Sequence, residues 1–352
     1  MSKLKEAATV AMRDCLGLKS DEEVLIITNF ENSDSFDISR ALFDASRELG
    51  GKPVIIIQEA KTSIDYAENC VLKAMEAAPD IIISISSVKM GKDPFGIHVG
   101  HIGRDGKKYE HIYHRLMEGD RHIRGFWSPS VTRDTFERTV AIDYTEMRTL
   151  ANKLKNILDM GEVVRVTAPG GTDISFSISG REAKLDDGDL RIPGAGGNLP
   201  AGEVFISPAN GTAEGVIYFD GTVDLMTSAP IPKEPVRVVF SNGYVTEVTG
   251  DEVAGELLEV IKLGESRARE LGNVEMERNA RHLGEMGIGI NYAAKMIGNM
   301  LEDEKVGKTV HFAIGMNYDN DAKALIHQDC LVRSPTIWVD GKQIMKEGNI
   351  LI

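Results

Sequence analysis

Residues 23–28 read Glu-Val-Leu-Ile-Ile-Thr, a short apolar run between charged and polar neighbours. Similar runs occupy 52–58 and 80–86, and amphipathic helical patterns at 35–49 and 65–78 separate them. Short Val/Ile-rich strands that alternate with helices are typical of parallel strands covered on both faces. The first part of the chain is therefore predicted to form an open α/β sheet.

The segment after the first strand does not support nucleotide binding. Residues 29–34 read Asn-Phe-Glu-Asn-Ser-Asp and contain no glycine. Dinucleotide-binding folds and P-loops both need a glycine-rich turn at this place, so that the backbone can approach the phosphates. Neither class of nucleotide site is expected.

From residue 161 onward the sequence changes to alternating strands separated by turn glycines. The last two strands flank Ser-Asn-Gly at 241–243, an Asn-Gly turn typical of a hairpin. A helical pattern follows at 251–271. The second half is therefore predicted to be α+β with a largely antiparallel sheet, whose strands are expected at 163–167, 173–178, 203–207, 215–220, 236–240 and 244–249.

The length of 352 residues predicts two domains. We expect an N-terminal α/β domain over 1–142, a linker helix over 143–160 and a C-terminal α+β domain over 161–352. The helical periodicity of Met147, Leu150, Ala151, Leu154 and Leu158 supports the linker helix. The C-terminal domain is the one expected to carry a metal site.

Composition narrows the location and the partners. The net charge of −14 argues against nucleic acid, whose phosphates need a basic footprint, and is compatible with either a cationic ligand group or solubility alone. No apolar run is long enough for a membrane span, and no secretory signal is recognisable. Three scattered cysteines do not suggest disulfides. A cytoplasmic protein without nucleic-acid or membrane partners is expected.

Residues 91–125 hold five of the eight histidines. Two pairs have a spacing that could supply metal ligands, but neither a cysteine nor clustered carboxylates accompany them. We interpret the segment as a polar, loop-rich stretch at a domain or subunit boundary. The five histidines are His98, His101, His111, His114 and His122.

Two glutamates of the second half stand in unusual surroundings. Glu203 begins an apolar strand directly after a turn, and Glu285 is the only carboxylate in a stretch with three glycines. Glycine in a strand often marks the close approach of a backbone or a ligand. The nearby His282 follows a basic run and is interpreted as a surface residue.

Two further segments place histidines inside apolar strands. His311 has apolar neighbours on both sides, and His327 and Asp329 form a His-x-Asp pair. Residues i and i+2 of a strand point to the same side, so this pair can reach a common ion. With Glu203 and Glu285 they make five ligands, which suit two divalent ions of zinc, manganese, cobalt or iron. Three carboxylates and one hydroxide would balance the charge of two such ions.

At these segments the chain resembles the thermophilic-type metallo-aminopeptidases of the M29 peptidase family, in a prokaryotic branch of uncertain activity. The similarity covers nearly the full length and is strongest over 163–352. Leu-Pro-Ala-Gly-Glu-Val-Phe at 199–205 resembles the family's first metal-glutamate segment, and Leu-Gly-Glu at 283–285 resembles the segment of its metal-bridging glutamate. Val-His-Phe-Ala-Ile-Gly at 310–315 and the His-x-Asp pair at 327–329 match its remaining ligand segments.

The resemblance implies an aminopeptidase that removes N-terminal residues from short peptides with a metal-activated water. Glu285 would bridge two divalent ions (Zn, Co or Mn, with Fe not excluded) and would be catalytic together with Tyr318, which would stabilise the oxyanion. Glu304 is a candidate general base by analogy, although a solvated acidic turn fits equally well. The resemblance also implies a homodimer.

Two alternatives remain beside the hydrolase. One is a mononuclear non-haem iron dioxygenase that cleaves dihydroxypyridine rings, because those enzymes share the closing His-x-Asp. They lack equivalents of Glu203 and His311 and have histidine in place of Glu285, so the five ligands favour two metals. The other alternative is a metal-binding protein without catalytic activity.

Overall fold

The computed structural model describes residues 2–31, 33–62 and 64–352. The chain divides into two compact units, Met1–Arg148 with Asp186–Ala201, and Thr149–Leu185 with Gly202–Ile352. This division differs from the expected boundaries in two respects: residues 186–201 belong to the first unit, and the first unit ends at Arg148 instead of 142. The expected linker helix is present as Tyr144–Asp159, and the division falls inside it.

The first unit is built on a five-stranded parallel sheet in the order β10-β6-β3-β1-β2, together with a small hairpin of β4 and β5. Strand β10 explains the return of 186–201, because it pairs with β6 at the edge of this sheet. The strands are β1 (Glu23–Thr28), β2 (Lys52–Ile57), β3 (Ile81–Ile85), β4 (His101–Ile102), β5 (Lys108–Tyr109), β6 (Arg124–Trp127) and β10 (Gly196–Asn198). The helices are α1 (Lys3–Val10), α2 (Ser33–Glu48), α3 (Asn69–Glu76), α4 (Pro94–His98), α5 (Ile112–His114) and α6 (Arg133–Thr139), with π-helical turns at Ala11–Cys15 and Arg115–Gly119.

Apolar burial organises the parallel sheet. Ile26 lies opposite Ile55 on β2 and Ile83 on β3, and both Ile26 and Ile83 are fully buried. Helices cover the sheet, so strands β1 and β3 need no polar face, which confirms the interpretation of the continuous Val/Ile runs. The predicted parallel α/β sheet is thus confirmed.

The second unit contains α8 to α10 and two mainly antiparallel sheets. An eight-stranded sheet has the order β14-β13-β12-β8-β7-β18-β19-β20, and a five-stranded sheet has the order β17-β16-β15-β11-β9. The strands are β7 (Val163–Thr167), β8 (Asp173–Ser177), β9 (Lys184–Asp186), β11 (Glu203–Ile206), β12 (Glu214–Phe219), β13 (Val236–Ser241), β14 (Tyr244–Thr249), β15 (Leu283–Gly289), β16 (Thr309–Gly315), β17 (His327–Arg333), β18 (Thr336–Val339), β19 (Lys342–Lys346) and β20 (Asn349–Ile350). The helices are α7 (Tyr144–Asp159), which crosses the division between the units, α8 (Glu252–Glu270), α9 (Val274–Asn279) and α10 (Met300–Asp303).

The two sheets of the second unit differ in burial. Strands of the eight-stranded sheet alternate between buried and more exposed residues, as β13 does, so one face packs on the core. Asn242 and Gly243 both have positive φ in the β13–β14 hairpin, as the Asn-Gly turn predicts. In the five-stranded sheet, every residue of β15 and of β16 is buried. The predicted mixed fold with an antiparallel second half is confirmed.

Within residues 2–31, 33–62 and 64–352, none of the helices has the length and apolarity that crossing a bilayer requires.

Candidate metal centre

Four neighbouring strands of the five-stranded sheet carry the five predicted ligands. Strand β11 begins with Glu203, β15 carries Glu285, β16 carries His311, and β17 carries both His327 and Asp329. The register brings them together, because Ala313 of β16 lies between Glu285 and Asp329 as the partner of both. The sheet order β17-β16-β15-β11 thus gathers residues that are more than one hundred positions apart in sequence.

The ligand atoms form two groups of three. In the first, which we call the inner group, Nε2 of His311 lies 3.1 Å from Oε1 of Glu285 and 3.5 Å from Oε2 of Glu203. In the second, which we call the outer group, Nε2 of His327 lies 3.5 Å from Oε2 of Glu285 and 3.4 Å from Oδ1 of Asp329. Glu285 belongs to both groups and gives one oxygen to each.

These spacings fit divalent ions. Ligand atoms that bond one ion at about 2.1 Å stand roughly 3.0–3.4 Å apart in tetrahedral or octahedral arrangements. Oxygen and imidazole donors together suit zinc, manganese, cobalt or iron. Both groups therefore have the donor set and the spacing that a metal requires.

Unsatisfied polar atoms point to the same conclusion. Among the described residues, the buried atoms Oε2 of Glu285 and Oδ1 of Asp329 make no hydrogen bond and face the imidazole of His327 at 3.5 and 3.4 Å. An unsatisfied buried acceptor costs about 1–3 kcal/mol, and more when it carries charge. In addition, Nδ1 of His327 donates to the carbonyl of Met316 at 2.8 Å, which directs Nε2 towards the two carboxylates. Metal-binding histidines are usually held by a hydrogen bond of this kind.

The electrostatics show how tightly the groups are coupled without a metal. Burial lowers the pKa of His311, but the hydrogen bond to Glu285 and the charges of Glu203 and Asp329 outweigh burial and raise it to about 9. Burial also opposes the charge of His327, yet Asp329 and Glu285 raise its pKa to about 10. In the metal-free protein the positive charges of His311 and His327 therefore balance the negative charges of the carboxylates. Metal binding must release the protons that these imidazoles carry.

Two glycines of β15 make room for the centre. Gly287 lies opposite His311, and a Cβ at this position would stand 2.1 Å from Nε2 of the imidazole. Gly289 lies opposite Glu203, and a Cβ there would stand 2.1 Å from the carbonyl oxygen of Val306. The glycines around Glu285 thus mark close approaches of a ring and of a backbone, as the sequence suggested.

A lysine that the sequence did not single out lies beside the inner group. Nζ of Lys305 is 2.7 Å from Oε1 of Glu203 and 2.8 Å from Oε1 of Glu304, and its side chain is 1 % exposed. Glu304 is largely buried, and burial raises its pKa to about 7. The charged sequence Leu-Glu-Asp-Glu-Lys at 301–305 gave no signal of burial.

Tyr318 lies at the edge of the outer group. Its ring centroid is 5.1 Å from that of His327 and 5.3 Å from that of Phe205. Burial and the nearby carboxylates, Glu285 first among them, raise the pKa of the phenol above its ordinary value, so the hydroxyl stays protonated. Tyr318 as a whole residue is 44 % exposed, so it can contact a molecule that arrives from solvent.

The remaining histidines lie apart from these groups. His282 is 1 % exposed, so its interpretation as a surface residue is wrong: it packs against Tyr244, with ring centroids 5.6 Å apart. In the first unit His101 pairs with Asp93 at 2.6 Å, and His111 contacts the carbonyl of Gly91. Within the described part of the chain, none of the histidines of 91–125 belongs to a possible metal-binding group.

The fold and the paired ligand groups describe a two-unit α/β protein with a candidate metal centre. The chain belongs to the NicX family, whose model is described as 2,5-dihydroxypyridine 5,6-dioxygenase and matches residues 132–352. No curated protein matches the sequence significantly.

Two solved structures share the fold. The 2,5-dihydroxypyridine dioxygenase from Pseudomonas putida KT2440 is 15% identical with a TM-score of 0.73, and the match covers 100% of this chain and 98% of that one. Wild-type AmpT from Thermus thermophilus is 17% identical with a TM-score of 0.69, and the match covers 99% of each chain. The predicted M29 membership is thus reduced to a distant structural relationship, and the comparisons favour the dioxygenase alternative over the aminopeptidase. The chain is an enzyme of this shared fold group.

Proposed function

We propose that the chain is a hydrolase of small amides, with N-terminal residues of short peptides as the expected substrates, and that it uses two divalent ions. The position of Glu285 carries the proposal. Its Oε1 faces His311 at 3.1 Å and its Oε2 faces His327 at 3.5 Å, so one carboxylate serves two ligand groups. A shared carboxylate of this kind is what a pair of neighbouring ions needs.

Divalent ions held by the five ligands would supply Lewis-acid polarisation of a carbonyl and a bound water of lowered pKa. The chain's own residues complete the chemistry. Tyr318 keeps its proton, so it can donate a hydrogen bond to the oxyanion of the tetrahedral intermediate. Glu304, whose pKa burial raises to about 7 in the metal-free chain, is the candidate to take up and return a proton.

Ring cleavage by a mononuclear iron dioxygenase is the second candidate function, and the family match and the Pseudomonas putida structure favour it. The outer group alone could hold one ion. It offers one histidine and two carboxylates, Glu285 and Asp329, whereas non-haem iron oxygenases typically use two histidines and one carboxylate. This difference and the inner group are the reasons why we propose the hydrolase first.

One set of assays separates the candidates. The metal-free chain is loaded in parallel with Zn²⁺, Mn²⁺, Co²⁺ or Fe²⁺, then given a panel of aminoacyl amides, and with Fe²⁺ also 2,5-dihydroxypyridine and O₂. Metal-dependent release of N-terminal residues supports the hydrolase, whereas O₂ uptake that depends on Fe²⁺ and the pyridine replaces it with the dioxygenase. Metal binding without turnover of either substrate favours a non-catalytic metal-binding protein.

Two variants make the assay specific to the centre. Asp329→Asn removes a ligand charge of the outer group and is expected to abolish either activity. His98→Ala changes an exposed histidine of the first unit and is expected to keep the activity.

The homodimer that the resemblance implies stays a prediction, which light scattering of the purified chain checks.

A further inference from the structure

The two ligand groups differ in the charges that surround them. A buried ammonium, Lys305, lies 2.7 Å from Oε1 of Glu203 in the inner group. In the outer group, Asp329 pairs with His327, a ligand itself, and the charge of Lys305 acts on Asp329 without an ion pair among the described residues. The inner group thus has a carboxylate in direct contact with the ammonium, whereas the outer group experiences the same charge without that contact.

The fold fixes this lysine in place. Gly289 lies directly opposite Glu203 in the sheet, and its missing Cβ lets the backbone at 305–306 approach the strand. The amide of Asn291 donates to the carbonyl of Lys305 at 2.9 Å, and the amide of Lys305 donates to the carbonyl of Glu302 at 3.0 Å. The backbone of Lys305 is therefore held through both its carbonyl and its amide, and from there the ammonium reaches Glu203.

We infer that Lys305 makes the two metal subsites unequal, so that the inner group binds its ion more weakly than the outer group. This inference rests on the proposed metal centre and adds an order of loading to it. A positive charge beside Glu203 reduces the attraction of that carboxylate for a cation and repels the cation itself. Burial strengthens both effects, because little water screens the charges.

The consequence is a centre whose metal content depends on the free metal concentration. At low concentration the outer group fills and the chain carries one ion on Glu285, His327 and Asp329. At higher concentration the inner group fills as well. The inner subsite is thus the exchangeable one, and occupancy of this subsite would regulate any reaction that needs both ions.

Calorimetric titration of the metal-free chain with Zn²⁺ tests the inference, with bound metal counted after equilibrium dialysis. Two binding steps at least tenfold apart in affinity are expected for the natural chain. The weaker step should disappear in His311→Ala and persist in Asp329→Ala. Loss of the tighter step in His311→Ala, or two equal steps in the natural chain, would overturn the assignment.

Substitution of the lysine tests its cause. Lys305→Met removes the charge at similar length and should tighten the weaker step at least tenfold, while Lys305→Arg keeps the charge and should leave that step weak. Weaker binding in Lys305→Met would mean that the ammonium only orients Glu203, and would contradict the inference. Circular dichroism establishes whether each variant folds. If Lys305→Met does not fold, the His311→Ala titration still tests which of the two subsites binds its ion more weakly.

The two proposals fail in different ways. If the natural chain binds no divalent ion at all, the metal-dependent function itself is wrong. If it binds two ions with equal affinity, the function stands and only the inequality of the subsites is wrong.

Discussion

Strands β3 and β15 are buried along their whole length, yet they bury different chemistry. Strand β3 reads Ile-Ile-Ile-Ser-Ile and packs in an apolar sheet, where each square ångström removed from water stabilises the fold by about 25 cal/mol. Strand β15 buries the carboxylate of Glu285, which opposes folding unless a partner compensates the charge. The first strand contributes to stability, whereas the second carries a carboxylate of the candidate metal centre.

The largest effect is expected at the charge that β15 buries. Glu285→Gln keeps the shape of the side chain but removes the charge that both ligand groups share, so both should lose their ions. Activity should fall at least about 10³-fold, or roughly 4 kcal/mol in the barrier. Elemental analysis and a rate assay measure this, and a variant with the normal metal content would show that Glu285 is not shared.

A smaller loss is expected at the edge of the centre. Tyr318→Phe removes only a hydroxyl that is proposed to donate to the oxyanion, and loss of one such donor typically lowers kcat by about 10²–10³-fold. The ligand atoms are untouched, so metal content should be unchanged. A steady-state assay with a metal count checks both, and an unchanged kcat would remove Tyr318 from the mechanism.

Gly287→Ala tests whether β15 is shaped around His311. The added Cβ would stand 2.1 Å from Nε2 of the ring, so the ring must move, at a cost of about 1–3 kcal/mol in stability. Binding to the inner group should weaken while the outer group keeps its ion. Gly255→Ala in helix α8 is the control, since its Cβ meets no atom within 4 Å. Urea unfolding and metal titration are carried out on both variants. Equal stability and equal metal affinity of the two would show that β15 is not shaped around His311.

The smallest effect is expected in the apolar strand β3. Ile83→Val removes one buried methylene from β3 and should lower the free energy of unfolding by about 0.5–1.5 kcal/mol. Metal affinity and activity of the folded variant should not change. Denaturant unfolding with a metal count gives the answer, and loss of metal would mean that the two regions are not independent.

The sequence predicted the elements whose periodicity is set by burial. Continuous apolar runs predicted the parallel strands at 23–28, 52–58 and 80–86, each within one or two residues of β1, β2 and β3. His311 and the His327–Asp329 pair stood out because an ionisable side chain inside an apolar strand is costly to bury unless it binds a partner or an ion. These conflicts are visible without a structure.

Other features depend on long-range packing, which local patterns do not contain. Lys305 and Glu304 lie in a charged stretch that is typical of a solvated turn, yet they are buried where this turn approaches Gly289. His282 follows basic residues and is nevertheless buried beside Tyr244. The return of 186–201 to the first unit rests on the three-residue strand β10, which is too short to give a periodic signal.

Glu285 is proposed to serve two ions at once. Elemental analysis of the chain after equilibrium dialysis against saturating Zn²⁺ tests it most directly, with Glu285→Gln alongside. Two ions per natural chain are expected, and none retained at the centre by the variant. One ion per natural chain at saturation would contradict it and would support the mononuclear centre of the dioxygenase alternative.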